Sequence, residues 1–156
     1  MRTPINRIVP LALALTVAGA LAADAHSGKN LPKPFAQRHA VMTSLAAHLG
    51  AIRTAVRTDD RKGIARHAVA IHWLARILPD TFPNGSGAAM GKTRAAERIW
   101  TDWSGFLKAS QSLATEATAM ADKAKSATPA ELRQAFMQLG RIGCGECHKT
   151  YRLPKR

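Results

Sequence analysis

Three residues near the end of the chain have the types and spacing to do chemistry. Cys144, Cys147 and His148 form C-x-x-C-H inside Gly143–Arg152, and these are the chain's only two cysteines. The pattern is the attachment signature of a c-type haem. Two thiols must reach two vinyl groups on one edge of a porphyrin, and an imidazole must approach the iron from the same side. On a helix, positions three and four apart share a face, so Cys147 and His148 both fall over Cys144. A disulfide would account for the thiols but not for the adjacent histidine. A thioredoxin-like redox pair wants a βαβ context, which the chain does not offer. A structural zinc site usually needs four ligands. One covalent haem c is therefore the expected cofactor, with thioethers at Cys144 and Cys147 and His148 as the proximal iron ligand.

The elements that must position this motif are helical. Aromatic residues make up only 5% of the chain, and its apolar set is dominated by Ala and Leu, which suits helices and disfavours sheets. Met42, Leu45, Leu49, Ile52 and Val56 recur in steps of three and four, which predicts a first helix from about Pro34 to Arg57. Thr58-Asp59-Asp60 offers caps for a second helix that runs to about Leu78, with Ile64, Ala68, Ile71, Leu74 or Ala75, and Leu78 inward. Pro79 stops it, and Pro79–Gly91 reads as a long loop. A third helix is expected from near Thr93, with Ile99, Trp103, Phe106, Ser110, Leu113, Ala117, Met120 and Ala124 on its seam. This pattern puts Trp103 in the core, leaves Trp100 partly exposed, and sets Trp73 beside the second helix's seam as a candidate interface residue. Thr128-Pro129-Ala130-Glu131 reads as a capping box that starts a fourth helix. That helix carries Leu132, Phe136, Leu139 and Gly143 inward, then the haem motif, and ends at Leu153-Pro154. The fold class is all-α, an antiparallel up-down-up-down four-helix bundle of residues 35–156 holding haem c.

The N-terminus addresses the compartment. Arg2 and Arg7 precede a short apolar run, Ile8–Ala20, and Ala20-Leu21-Ala22 has the small-x-small form of a cleavage site. Residues 1–22 read as a cleaved secretory signal peptide, and the run is too short to span a membrane. Cleavage after Ala25 fits the same rule. Residues 23–34 read as a flexible lead-in. The mature protein is expected to be soluble, in the periplasm, with no integral membrane span. The formal charge is +13, from 23 Lys+Arg against 10 Asp+Glu. Removing residues 1–22 takes away two arginines and no acid, leaving 13 − 2 = +11. No groove-reading motif accompanies this charge, so nucleic acid is not the expected partner. The basic residues are spread over all four helices rather than along one face, which fits an acidic redox partner or plain solubility better than a membrane surface.

Several separated features together resemble the cytochrome c′ (class II cytochrome c) family, over about Arg38–Arg152. They are C-x-x-C-H on the last helix followed by Tyr151-Arg152, Ile99-Trp100-x-Asp102 with Phe106, Phe82-Pro83-x-Gly85-Ser86, and Arg38-x-x-x-Met42. The resemblance implies one haem c in a four-helix bundle that is often a homodimer. It also implies that Met42 occupies the distal position, either as the sixth iron ligand or as a cover over an open iron. Arg38, Tyr151 and Arg152 are further candidate haem contacts. Arg38 would reach a propionate or line the haem edge, or else be a solvated helix-end arginine. Tyr151 and Phe136 would pack near the porphyrin or in the ordinary core. His39, one turn before Met42, is a lesser rival for the iron, and His67 and His72 read as surface histidines. Two functions follow. One is a periplasmic single-electron carrier. The other is a five-coordinate haem protein that binds NO or CO in nitric-oxide tolerance. Peroxidase-like catalysis ranks last, because the first helix's seam lacks a polar acid or base apart from Arg38 or His39.

Overall fold

The computed structural model describes residues 32–155. The expected signal peptide, both expected cleavage positions and most of the expected lead-in lie outside the described residues. Helix α1 spans Lys33–Arg57 and α2 spans Arg61–Ile77, in which the Asp60 side chain accepts a hydrogen bond from the Gly63 N–H at 2.8 Å. Pro79 does not simply stop α2, because the chain tightens into a 3₁₀ turn over Leu78–Thr81. After the loop come a short helix α3 (Arg98–Thr101) and the long helix α4 (Trp103–Lys123). Helix α5 (Pro129–Gln138) starts on the expected capping box of Thr128 and Glu131. Helix α1 packs on α2, α2 on α4, α4 on α5, and α5 back on α1, which closes the bundle. Its core runs through Leu45, Ile52, Ile64, Ile71, Leu113, Met120, Leu132 and Leu139. Among the described residues, no helix is long and apolar enough to cross a membrane.

Two interruptions depart from the expected helices, and both lie where the chain approaches the motif. The third helix does not begin at Thr93. Residues 94–96 run extended and pair with the chain end: Ala95 bridges Arg152, the Ala96 N–H donates to the Tyr151 carbonyl at 3.1 Å, and the Leu153 N–H donates to Arg94 at 2.8 Å. The helix also breaks at Asp102, whose backbone leaves the helical region (φ −129, ψ 53) and whose side chain caps α4 through the Gly105 N–H at 3.1 Å. This break corrects the expected seam. Trp103 falls on the first residue of a new helix and is 38% exposed, while Ile99 and Phe106 on either side stay buried. Trp100 is half-buried as expected, and its indole N–H donates to the Phe82 and Pro83 carbonyls at 3.2 and 3.1 Å.

The second interruption lies inside the motif helix. Leu139–Glu146 is π-helical, and only Cys147–Tyr151, helix α6, returns to α geometry. Gly140, Gly143 and Gly145 fall in this stretch. Glycine lowers the cost of leaving the α-helix, and Gly143 is buried where an added Cβ would press on the Leu113 side chain. The missing side chain at Gly143 lets α4 pack closely on this stretch.

Candidate functional site

The end of the bundle that carries Cys147 holds a second apolar cluster: Leu78, Phe82, Ile99, Phe106 and Tyr151, with Val41, Met42 and Cys147 packed against it. A cavity of about 440 Å³ opens there. That lies within the range of small-molecule and cofactor pockets. Helix α1 contributes Arg38, His39 and Met42 to its wall, α6 contributes Cys147 and His148, and the extended segment before α3 contributes Arg94 and Ala95. Tyr151 and Arg152 complete the wall from the chain end.

The motif residues thus divide. Cys147 and His148 line the cavity, whereas Cys144, three residues earlier near the end of the π-helical stretch, is half-buried against the main core. Burial raises both thiol pKa values, that of Cys147 to about 11 with a further push from Cys144. Both are free cysteines, protonated at neutral pH, so they are poor thiolate ligands and slow partners in disulfide exchange. Burial comes first, and the positive charges of Arg152 and Arg94 second, in pulling the His148 imidazole below its ordinary value. It is therefore neutral and able to donate a lone pair to a metal.

Arg38 is not a solvated helix-end arginine. It is 7% exposed and ties α1 to the loop: Nε donates to the Thr81 carbonyl at 3.0 Å, and Nη2 donates to the Ser86 carbonyl at 3.0 Å and to Ser86 Oγ at 2.6 Å. Its guanidinium stacks over Phe82 at 4.2 Å and reaches Phe35 at 5.1 Å. Nη1 is buried without a partner. An orphaned donor of this kind costs free energy unless something accepts from it, and it lies on a residue that lines the cavity. A flat apolar molecule carrying acidic groups fits this wall of aromatic rings, one unfilled guanidinium N–H, and Lys92, Arg94 and Arg152.

Tyr151 is buried at the cavity, and its hydroxyl donates to Asp102 Oδ2 at 2.9 Å. That bond, with the one from the Gly105 N–H, holds the Asp102 carboxyl below its usual range. One carboxylate therefore both caps α4 and anchors the motif's last turn. Phe136 is not part of this wall; it packs, half-buried, on the main core. His39 lines the cavity but is exposed. His67 and His72 are not plain surface histidines. Both are half-buried, His67 facing His48 and His72 bonded to the Ala114 carbonyl at 3.2 Å and the Thr118 hydroxyl at 3.0 Å. The roles of Thr81, Ser86, Asp102 and Arg94 were not readable from the sequence. The loop and third-helix motifs flagged two of these positions, Ser86 and Asp102, but the bonds that join them and Thr81 and Arg94 to Arg38, Tyr151 and Leu153 are all long-range.

Residues 33–152 match the family model described as Cytochrome C′. A cytochrome c-556 of Agrobacterium tumefaciens is 31% identical over 124 residues, which is 76% of this chain and 96% of the relative. The solved cytochrome c′ of Shewanella frigidimarina is 26% identical with a TM-score of 0.66, covering 80% of this chain and 100% of that one. A mutant cytochrome c prime of Alcaligenes xylosoxidans, solved as a nitric oxide complex, shares the fold at a TM-score of 0.66 and 23% identity, over 78% of this chain and 94% of that one.

Proposed function

The chain belongs to the cytochrome c′ family and carries one covalent haem c, and on that premise we propose that it is an exported single-electron carrier whose second axial iron ligand is Met42. The observation that carries this reading is that Met42 and His148, from helices far apart in sequence, line one apolar cavity. Cys144 and Cys147 would hold the haem through thioethers. Each forms by adding S–H across a vinyl C=C bond, so no oxidant or reductant is consumed. The haem supplies an iron centre that gains and loses one electron. His148 offers a neutral imidazole to that iron, and Met42 a thioether, which favours a higher reduction potential. Arg38, through its unpartnered Nη1, and Arg152 at the cavity rim would hold the haem's acidic groups. Phe82, Phe106 and Ile99 exclude water and lower the local dielectric. Catalytic turnover is not part of this reading, because Nε and Nη2 of Arg38 are committed to the loop and His39 is exposed.

A second reading, an open iron that binds NO or CO beneath a Met42 cover, is favoured by the nitric oxide complex of the Alcaligenes relative. Optical and EPR spectra of the purified ferric and ferrous protein separate the two. Low-spin spectra that turn high-spin in Met42→Ala are the expected result. High-spin spectra indifferent to that substitution, with ready CO binding, would discard ligation and leave the gas-binding reading.

Residues 1–22 are proposed to direct export to the periplasm, residues 23–34 to lead into the bundle domain of residues 35–156, and the holoprotein to form a homodimer. Exposed Trp73, with Val69 and Ile77 at helical spacing on α2, offers the apolar stripe such a contact needs. Native mass spectrometry of protein from a periplasmic extract is expected to show a haem-bearing dimer starting at Ala23 or His26. A monomer retaining Met1 would rule out both ideas. Lys92, Arg94 and Arg152 make the cavity rim basic, which suits an acidic redox partner. The rate of electron exchange with such a partner should fall as salt rises, and a flat salt profile would remove it.

A further inference from the structure

The bundle holds a second constellation of metal-binding side chains, outside the haem cavity. His48 on α1 faces His67 on α2, with Nδ1 to Nδ1 at 2.9 Å and ring centroids 5.2 Å apart. Two imidazoles meeting nitrogen to nitrogen at this distance cannot both be protonated there. One must donate and the other accept, so a single proton sits between two lone pairs. A divalent ion can displace that proton and bind both nitrogens from beside the line that joins them, once the two rings turn toward it. Imidazole nitrogens bind transition metals at roughly 2.0–2.1 Å. Two such bonds to nitrogens 2.9 Å apart enclose an angle of about 90°. That is the angle between neighbouring ligands of a tetragonal centre, and it is narrower than a tetrahedral ion prefers.

We propose that His48 and His67 form a copper(II) site that clips α1 to α2. Copper is the choice on two grounds. It favours tetragonal nitrogen coordination, and it stands highest in affinity among the first-row divalent ions. Among the described residues no group of three or more His, Cys, Asp or Glu side chains gathers to hold a metal. The remaining positions on the copper therefore go to water or to an outside ligand, and the affinity should be moderate. Nothing in this proposal depends on how the haem iron is ligated.

The test uses the haem-loaded protein in a His26→Ala background, titrated with copper(II) alone by calorimetry, with EPR of the bound metal. One equivalent is expected to bind, with nitrogen coupling in the EPR signal and a rise in Tm. His48→Gln and His67→Gln should each weaken binding at least ten-fold and abolish the Tm rise, while His72→Gln leaves both intact. Unchanged helical circular dichroism and haem absorbance show that the variants are folded. Equal copper affinity in all three variants, or no binding by the parent, would overturn the proposal.

Discussion

Cys144→Ala/Cys147→Ala is expected to yield a protein from which all haem is extracted by acidified organic solvent, whereas the parent keeps its haem in the protein phase. The effect should be all-or-none, because covalent retention needs at least one thioether and the chain contains no third cysteine. The two thiols are not equivalent in the fold. Cys147 lines the cavity, and Cys144 lies three residues back against the main core. The single variants should therefore each keep haem through one bond, with Cys144→Ala the better tolerated. A haemochrome spectrum reads the number of remaining thioethers from the band position. Full covalent retention in the double variant would be fatal to the attachment site.

Arg38→Leu should be the most destabilising single change at the cavity, by about 3 kcal/mol in denaturant unfolding. Leucine fills much of the volume but accepts and donates nothing. The Thr81 and Ser86 carbonyls lose their guanidinium donors, and each buried acceptor left unpaired costs roughly 1–3 kcal/mol. Stacking over Phe82 is lost as well. Two terms work the other way: the cost of burying a cation disappears, and so does the orphaned Nη1. Arg38→Lys should recover only part of the loss, since an ammonium keeps the charge but not the fork that reaches Thr81 and Ser86 together. If Arg38→Leu unfolds within about 0.5 kcal/mol of the parent, Arg38 is not what ties α1 to the loop.

These two sites show how legibility varied along the chain. The attachment motif is local: three side chains within five residues state their chemistry whatever the rest of the fold does. The core was also legible, because Ile52, Ile64, Ile71, Met120 and Leu132 follow the helical period and are all buried. The capping box at Thr128 and Glu131 could be read for the same reason, since its partners lie three residues apart. Arg38 could not be resolved. Its partners lie 43 and 48 residues away, and no local pattern distinguishes a buried arginine from a solvated one. Trp103 was misplaced because the seam assumed one continuous helix. The break at Asp102 is stabilised partly by the Tyr151 hydroxyl, 49 residues later.

By itself, then, the sequence determined the helical periods, the caps, and the presence of a haem-attachment motif on the last helix, because each rests on interactions within one or two turns. Tertiary structure decided where that motif opens onto a cavity, which side chains complete the wall, and that His48 meets His67. Those depend on distances between helices, which are set by how the cores pack and by glycine-permitted departures from the α-helix at residues 139–146. Periodicity reports which face of a helix turns inward. It carries no information about which residue of the neighbouring helix it will meet.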